Sequence, residues 1–298
     1  MFMVKVLDKP NVLRALTGLN TAEFSQLVDS FSKEWNNHKR KNWLGETRQR
    51  APGAGPKAAL ESMELKLLFI LVYFRLYPIQ EVLGFLFGMK QPQANRWIMR
   101  LTPLLKKALG RELVLPSRQP YRLEQVLSEC PELQFVIDGT DRPIRRPKDK
   151  QRQKDHYSGR KKRHTVKNVI LTQGKKVKFL SETVPGKHHD KAIAEKIERF
   201  PAQSMVLADS GFKGFAPEGA VVITPAKKPR NGELHPATVQ SNKVLARCRV
   251  GVEHVISGIK RCRIVADVLR HLKRGFEDQV MEIACGLHNL RQEFRAAA

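Results

Sequence analysis

The spacing of apolar residues changes near residue 131, and this change restricts the chain to a helical part followed by a mixed α/β part. Upstream, Leu60, Met63 and Leu67 recur every three or four residues, the spacing of a helix that buries one face. Downstream, short apolar runs typical of strands occur at 133–138, 165–172, 175–184, 205–208 and 220–224. Helical spacing at 191–200 and 237–263 alternates with these runs, so the second part is predicted to be an α/β sheet domain.

Three regions are predicted from this pattern. Residues 1–58 form an N-terminal helical segment that ends in a basic linker rich in glycine and proline, which occupies 38–58. Residues 59–130 form an all-α domain, and residues 131–298 form the α/β domain.

Two short helices in the all-α region are separated by a turn at Gly88, and Pro92 begins the second one. This pattern is typical of a helix-turn-helix, whose second helix reads base edges and phosphates. The alternative is a helical bundle whose polar face only contacts water. The DNA-binding side chains predicted on the second helix are Gln91, Gln93, Asn95, Arg96 and Arg100.

The charge balance predicts a polyanionic partner. The 298 residues include 54 Lys and Arg against 29 Asp and Glu, a formal net charge of +25. No basic amphipathic helix with a bulky aromatic face stands out, so nucleic acid is favoured over a membrane surface. The apolar stretch at 65–77 contains Lys66 and Arg75, which indicates a buried helix rather than a membrane span.

The four cysteines are scattered and form no CxxC pair, so neither a zinc ribbon nor a redox motif is expected. Their pattern fits a reducing cytosol. The first residues lack the arrangement of a signal peptide, so we expect a cytoplasmic protein.

Three acidic residues have the context of metal ligands. Asp138 and Asp209 each end an apolar run that is predicted to be a strand, and Glu253 lies within the helical pattern at 237–263. Carboxylates are the ligands that Mg²⁺ prefers, and a two-metal site clamps the attacking and leaving oxygens of a phosphate. On the predicted helix, Arg249 and Lys260 share the angular sector of Glu253, where they could bind phosphate. The alternative is a solvated face with an Arg249–Glu253 ion pair.

Five segments together resemble a known family. They are FVIDGTDRPIRRP at 135–147, YSGRKKRHTVKNVIL at 157–171, PGKHHDKAI at 185–193, ADSGFKG at 208–214 and RVGVEHVISGIKR at 249–261. The chain resembles an insertion-sequence transposase of the DDE type, in the branch shared with Harbinger elements. It departs from many relatives at Ala246, where they have a tyrosine three residues before the arginine.

The resemblance implies a ribonuclease-H-like catalytic domain preceded by a helix-turn-helix domain. It implies that Asp138, Asp209 and Glu253 are catalytic and bind two Mg²⁺ or Mn²⁺ ions. It also implies that the chain nicks transposon ends in double-stranded DNA and joins the 3′-OH to target DNA, as a homo-oligomer such as a dimer, without a small-molecule substrate. The alternatives are a domesticated metal-dependent nuclease and a DNA-binding regulator whose catalytic domain is inactive.

A basic stretch between the first two predicted strands is interpreted as a DNA-tracking surface, led by Lys161, Lys162, Arg163 and Lys167. Asp190 is interpreted as an N-cap of the helix that follows it. Asp141 is the closest rival to Asp138 as a metal ligand, although Arg142 offers it a salt bridge.

Overall fold

The computed structural model describes residues 2–39, 59–229 and 231–296, so most of the predicted basic linker at 38–58 lies outside the described residues. The helices are α1 Pro10–Thr17, α2 Thr21–Lys39, α3 Met63–Leu76, α4 Gln80–Leu86, α5 Gln91–Arg111, α6 Leu123–Ser128, α7 Lys150–His156, α8 Asp190–Ala194, α9 Pro236–Lys260, α10 Arg263–Ala266 and α11 Phe276–Ala296. The strands are β1 Gln134–Pro143, β2 Tyr157–Ser158, β3 Arg163–Gln173, β4 Lys176–Leu180, β5 Val184–Pro185, β6 Arg199–Leu207 and β7 Glu218–Ile223.

The chain divides into two compact units. The first contains the residues up to Leu115, a short piece at Arg261–Ile264 and the residues from Gln279 onward. The second contains Pro116–Lys260 and Val265–Asp278. The units differ from the predicted domains: residues 116–130 group with the second unit, and most of α11 groups with the first. A hydrogen bond from Asn289 Nδ2 to the Val114 carbonyl, at 2.9 Å, is one of the contacts inside that unit.

The first unit is built around α3, which is apolar on every side. Its residues from Leu67 to Phe74 are almost completely buried, which explains why this short apolar stretch is a core helix. Ser62 caps the helix by accepting a hydrogen bond from the Leu65 N–H at 3.1 Å. Within residues 2–39, 59–229 and 231–296, no helix is both long enough and apolar enough to cross a membrane.

The turn between α4 and α5 depends on a glycine. A Cβ at Gly84 would lie 2.5 Å from the Met89 carbonyl oxygen, so only glycine lets the chain fold back this tightly. The Met89 N–H donates to the Gly84 carbonyl at 2.9 Å, and Phe87 packs edge-on against Phe69 of α3. The helix pair expected around Gly88 is therefore present, with its second helix extending to Arg111.

The second unit contains a seven-stranded mixed sheet of order β2-β3-β1-β6-β7, in which β4 and β5 also pair with β3. Strand β1 is antiparallel to β3 and parallel to β6, and β6 is parallel to β7. One face of the sheet buries Phe135, Ile137, Val169, Leu171 and Val206 against α6 and α8 residues in a single core cluster. The predicted α/β class is confirmed at this level.

Two local predictions need correction. The apolar run before Asp138 does not end the strand, because β1 continues to Pro143 along β3. The helix predicted at 191–200 ends at Ala194, because residues from Arg199 onward enter β6 and satisfy their backbone groups in the sheet.

A buried polar network joins β1 to the first residues of α11. Arg142 is 3% exposed and donates to the Glu277 carbonyl and to Asn168 Oδ1, both at 2.8 Å. Asp278 accepts hydrogen bonds from Arg118, from the Thr183 N–H and from the Thr183 hydroxyl. Burial alone would raise the pKa of Asp278, but Arg118 and Thr183 hold it below its ordinary value.

We expect Asp278→Asn to lower the free energy of unfolding at neutral pH by about 1.5–3 kcal/mol, the scale of hydrogen bonds to a charged group. Because the folded pKa of Asp278 is depressed, its contribution is present above the unfolded value and lost as the pH falls through the folded value. Urea unfolding at pH 7 and at acidic pH measures this, and the difference from wild type should shrink in acid.

The matched control is Asp155→Asn, which breaks an ion pair with exposed Lys187 and should have a much smaller effect. An Asp278→Asn protein as stable as wild type at pH 7 would show that the network does not stabilise the unit.

Candidate functional site

The parallel pairing of β1 and β6 brings Asp138 and Asp209 to the same edge of the sheet. Val136 on β1 is in register with Leu207 on β6, and each aspartate follows two residues later in its own strand direction. Because neighbouring strands are about 4.8 Å apart, the two carboxylates come near each other where β6 ends, and Asp209 is close enough to raise the pKa of Asp138. The sheet therefore supplies two of the three predicted acids as a pair.

Asp209 is held by the turn that follows it. Its Oδ1 accepts a hydrogen bond from the Gly211 N–H at 2.6 Å and caps the short 3-10 turn Ser210–Phe212. A Cβ at Gly211 would lie 2.8 Å from that oxygen, so a glycine is needed for this approach. The Asp-Ser-Gly sequence thus fixes the direction of the carboxylate.

Asp138 sits in a partly buried position beside other carboxylates. Its pKa is raised to about 6, mainly by burial; the Gly139 N–H and Arg249 lower the pKa, and Asp209 and Asp190 raise it. The Gly139 N–H donates to Asp138 Oδ1 at 2.8 Å. A nearby cation would therefore favour the ionised form of this acid.

Asp190 does not cap α8 as predicted. His189 occupies the N-cap position, no side chain forms a cap hydrogen bond, and Asp190 is the first helical residue. The carboxylate of Asp190 instead lies against Gly139, where an added Cβ would be 2.3 Å from Asp190 Oδ1, and pairs with Lys167 Nζ at 3.1 Å. A third carboxylate thus stands near Asp138, already neutralised by its own lysine.

Glu253 is on α9, which packs on β1 and β6. Val252, Val255 and Ile259 form the buried stripe of the helix, whereas Glu253 is exposed. In the part of the chain that the structure describes, no three His, Cys, Asp or Glu side chains are gathered closely enough to hold a metal ion. Glu253 thus stands outside the Asp138–Asp209 pair.

Arg249 and Lys260, from the same helix, both lie near Asp138. Arg249 lowers the pKa of Asp138, and its Nε is buried without a hydrogen-bond partner. Among the described residues Arg249 forms no ion pair with Glu253, so the surface-pair alternative does not hold. Burial lowers the pKa of Lys260, as does Lys161, while Asp141 and Asp138 raise it.

Asp141, the rival of Asp138, has a structural partner. Its Oδ1 accepts a hydrogen bond from the Thr165 hydroxyl at 3.0 Å. The salt bridge expected from Arg142 is replaced by the buried contacts of Arg142 with Asn168 and Glu277. Asp138 is therefore the better placed partner of Asp209.

The predicted basic surface is present in part. Lys161, Lys162 and Arg163 are exposed at the turn between β2 and β3, and Lys161 is close enough to Lys260 to affect its pKa. Lys167 is the exception, because its ammonium pairs with Asp190 and donates to the His188 carbonyl. With 12% of its side chain exposed, Lys167 is not part of the surface.

The predicted DNA-binding side chains of α5 fall into two groups. Arg96 and Arg100 are exposed. Gln93 Oε1 accepts the Lys90 N–H at 3.0 Å, and Asn95 lies 3.4 Å from the Gln80 amide. Gln91 also donates to Gln80, so the amides connect α4 with α5. Sequence reasoning did not identify this structural role, which depends on the position of Gln80.

Comparison with known proteins shows the family of the chain. Residues 137–289 match the family model described as DDE superfamily endonuclease, and residues 58–111 match the helix-turn-helix of DDE superfamily endonuclease. The chain is 25% identical, over 285 residues and 95% of both chains, to a protein of Microchaete diplosiphon described as a probable transposase for insertion sequence element IS702. No solved structure matches the chain significantly.

The family match spans the sheet edge that carries Asp138 and Asp209 and continues through α9 into α11. The helix-turn-helix match ends at Arg111, the last residue of α5. This chain belongs to the DDE superfamily endonucleases and carries their helix-turn-helix domain.

Proposed function

We propose that the chain is a DNA transposase that binds the ends of its element, cuts phosphodiester bonds and joins the freed 3′-OH to target DNA. The observation that supports the proposal best is the register of β1 and β6, which brings Asp138 near Asp209; α9, which bears Glu253, Arg249 and Lys260, packs on both strands. Similarity to a probable transposase along nearly the whole chain supports it.

Asp138 and Asp209 fit a divalent cation such as Mg²⁺ or Mn²⁺. Both offer hard carboxylate oxygens, and burial together with neighbouring carboxylates makes the charge of Asp138 unfavourable without a cation. We assign Glu253 as the third ligand, and α9 carries it on the helix that packs on both strands. Two bound ions would stabilise the charge that develops on the reacting phosphate.

The cations of α9 bind DNA in this proposal. The guanidinium of Arg249 has an unused buried Nε and lies near Asp138, so it can hold a phosphate next to the scissile one. Lys260 is close to Lys161, which extends the cationic surface to Lys162 and Arg163. Such contacts fix the position of the duplex without reading its sequence.

Recognition of the element ends is assigned to α5. Arg96 and Arg100 are exposed on one side of the helix, while the amides at Gln93 and Asn95 are occupied within the helix pair. We therefore expect the two arginines to contribute most of the contacts with DNA from this helix.

The proposal extends to a ribonuclease-H-like catalytic domain. The mixed sheet, with β1 antiparallel to β3 and parallel to β6, supports this assignment. Placement in the Harbinger-like branch, action as a dimer and association with the nucleoid rest on the sequence resemblance.

Inverted repeats flanking the gene would distinguish a transposase from a domesticated nuclease.

Asp138→Asn, Asp209→Asn and Glu253→Gln should each reduce DNA nicking in Mg²⁺ by about 100-fold or more, because losing a ligand removes several kcal/mol of charge stabilisation. Gel shifts on the same preparations should show nearly unchanged DNA binding. Asp155→Asn, at a solvent-accessible aspartate of the same unit, is the control. A variant that nicks at the wild-type rate would remove that residue from the site.

Arg249→Ala and Lys260→Ala should lower strand transfer by about 30-fold or more, on the scale of a missing transition-state donor. Their melting temperatures should change little. Arg247→Ala, at an exposed arginine of the same helix, is the control for charge and helix propensity. If activity falls only in proportion to the amount of folded protein, the two cations have a structural role.

Arg96→Ala and Arg100→Ala should weaken binding to element-end DNA, because each removes a cation that neutralises a phosphate. The slope of log affinity against log salt should fall by about 0.9 for each phosphate that is no longer neutralised. The full chain is the appropriate protein, because α11 contributes to the same compact unit as α5. Gel shifts over a salt series measure the slope. An unchanged slope and affinity for both variants would reject α5 as the DNA-reading helix.

A further inference from the structure

The first compact unit contains an arginine-lined recess that the proposed chemistry does not use. Two adjoining cavities, of about 280 and 220 Å³, share Arg14, Gly18 and Arg261 in their walls. We call them together the arginine cavity. Its ionisable lining consists of five arginines and one acid, which are Arg14, Arg75, Arg261, Arg291, Arg295 and Glu23.

Two of the arginines form the inner wall of the arginine cavity. Arg291 is 4% exposed, and burial lowers its pKa. Arg75 donates from Nη1 to the Arg261 carbonyl, but its Nε is buried without a hydrogen-bond partner. Gly18 has φ 80, and a Cβ there would lie 3.4 Å from Arg75 Cδ and 3.5 Å from Arg291 Nη1. The glycine thus leaves room for both guanidiniums beside it.

The negative charge in the lining does not balance the positive charge. Glu23 Oε2 accepts the Asn20 N–H at 2.7 Å and so serves as part of the cap of α2. Helices α1, α3 and α11 end near the arginines, and each C-terminus carries about half an elementary negative charge. Five guanidiniums against one carboxylate and three helix ends leave a charge of roughly +2 to +3.

We propose that the arginine cavity binds a phosphate group. A phosphate carries one or two negative charges, and the planar guanidinium fork matches its oxygens. Neutralising the negative C-terminal end of a helix explains why Arg75 donates to the Arg261 carbonyl. It does not explain why Arg14 and Arg295 are exposed at the mouth of the cavity. The phosphate is either a backbone group of bound DNA or part of a small phosphate-bearing molecule.

The test compares two double variants of the full chain. Arg14→Gln with Arg295→Gln removes two charges from the mouth of the arginine cavity. Lys9→Gln with Lys33→Gln removes two charges from exposed positions of the same unit that do not line it. The first measurement is the melting temperature in sodium phosphate against sodium chloride of equal ionic strength. The second is the salt dependence of binding to duplex DNA.

We expect phosphate to raise the melting temperature of wild type and of the lysine variant by several degrees, and to raise that of the arginine variant much less. If DNA is the source, the salt slope of the arginine variant is also smaller than that of the lysine variant by about one to two units. If a small molecule is the source, the slopes agree and only the phosphate effect disappears.

The proposal is overturned if phosphate stabilises wild type no more than chloride does and the two variants have the same salt slope. The cluster would then only neutralise helix ends. The DNA measurement rests on the proposed DNA binding, whereas the phosphate measurement does not, so failure of one idea can be told from failure of the other.

Discussion

The parallel register between β1 and β6 is the constraint on which the proposed site depends. It brings Asp138 on β1 near Asp209, which follows the end of β6. A slip of one residue would turn one carboxylate to the other face of the sheet, because side chains alternate along a strand. The buried side chains at Phe135, Ile137 and Val206 oppose such a slip, since it would also expose them. The packing of the core thus sets the geometry of the acids.

The acids near this edge of the sheet differ in whether they form an ion pair. Asp190 is neutralised by Lys167 and sits against Gly139, whereas Asp138 forms no ion pair among the described residues, and Arg249 offsets its burial only in part. An acid without a close cation partner is the one that gains most from binding a metal. The same arginine, with Lys260, provides positive charge for the phosphate that must arrive with the metal.

The sequence was sufficient for the parts of this arrangement that depend on local pattern. Apolar runs that end at Asp138 and Asp209 singled out these two acids, and helical spacing identified α9. The partners of Lys167 and Gln93 could not be predicted, because they are set by tertiary and capping contacts rather than by spacing. The sequence likewise did not indicate that most of α11 belongs to the first compact unit.

The central claim is that the paired aspartates hold a divalent cation, and diffraction from Mn²⁺-soaked crystals of the chain tests it most directly. Anomalous scattering locates manganese independently of any activity. We expect a peak within coordination distance, about 2.0–2.3 Å, of oxygens from both Asp138 and Asp209. Manganese bound only at other carboxylates, with Asp138 and Asp209 uncoordinated, would contradict the claim.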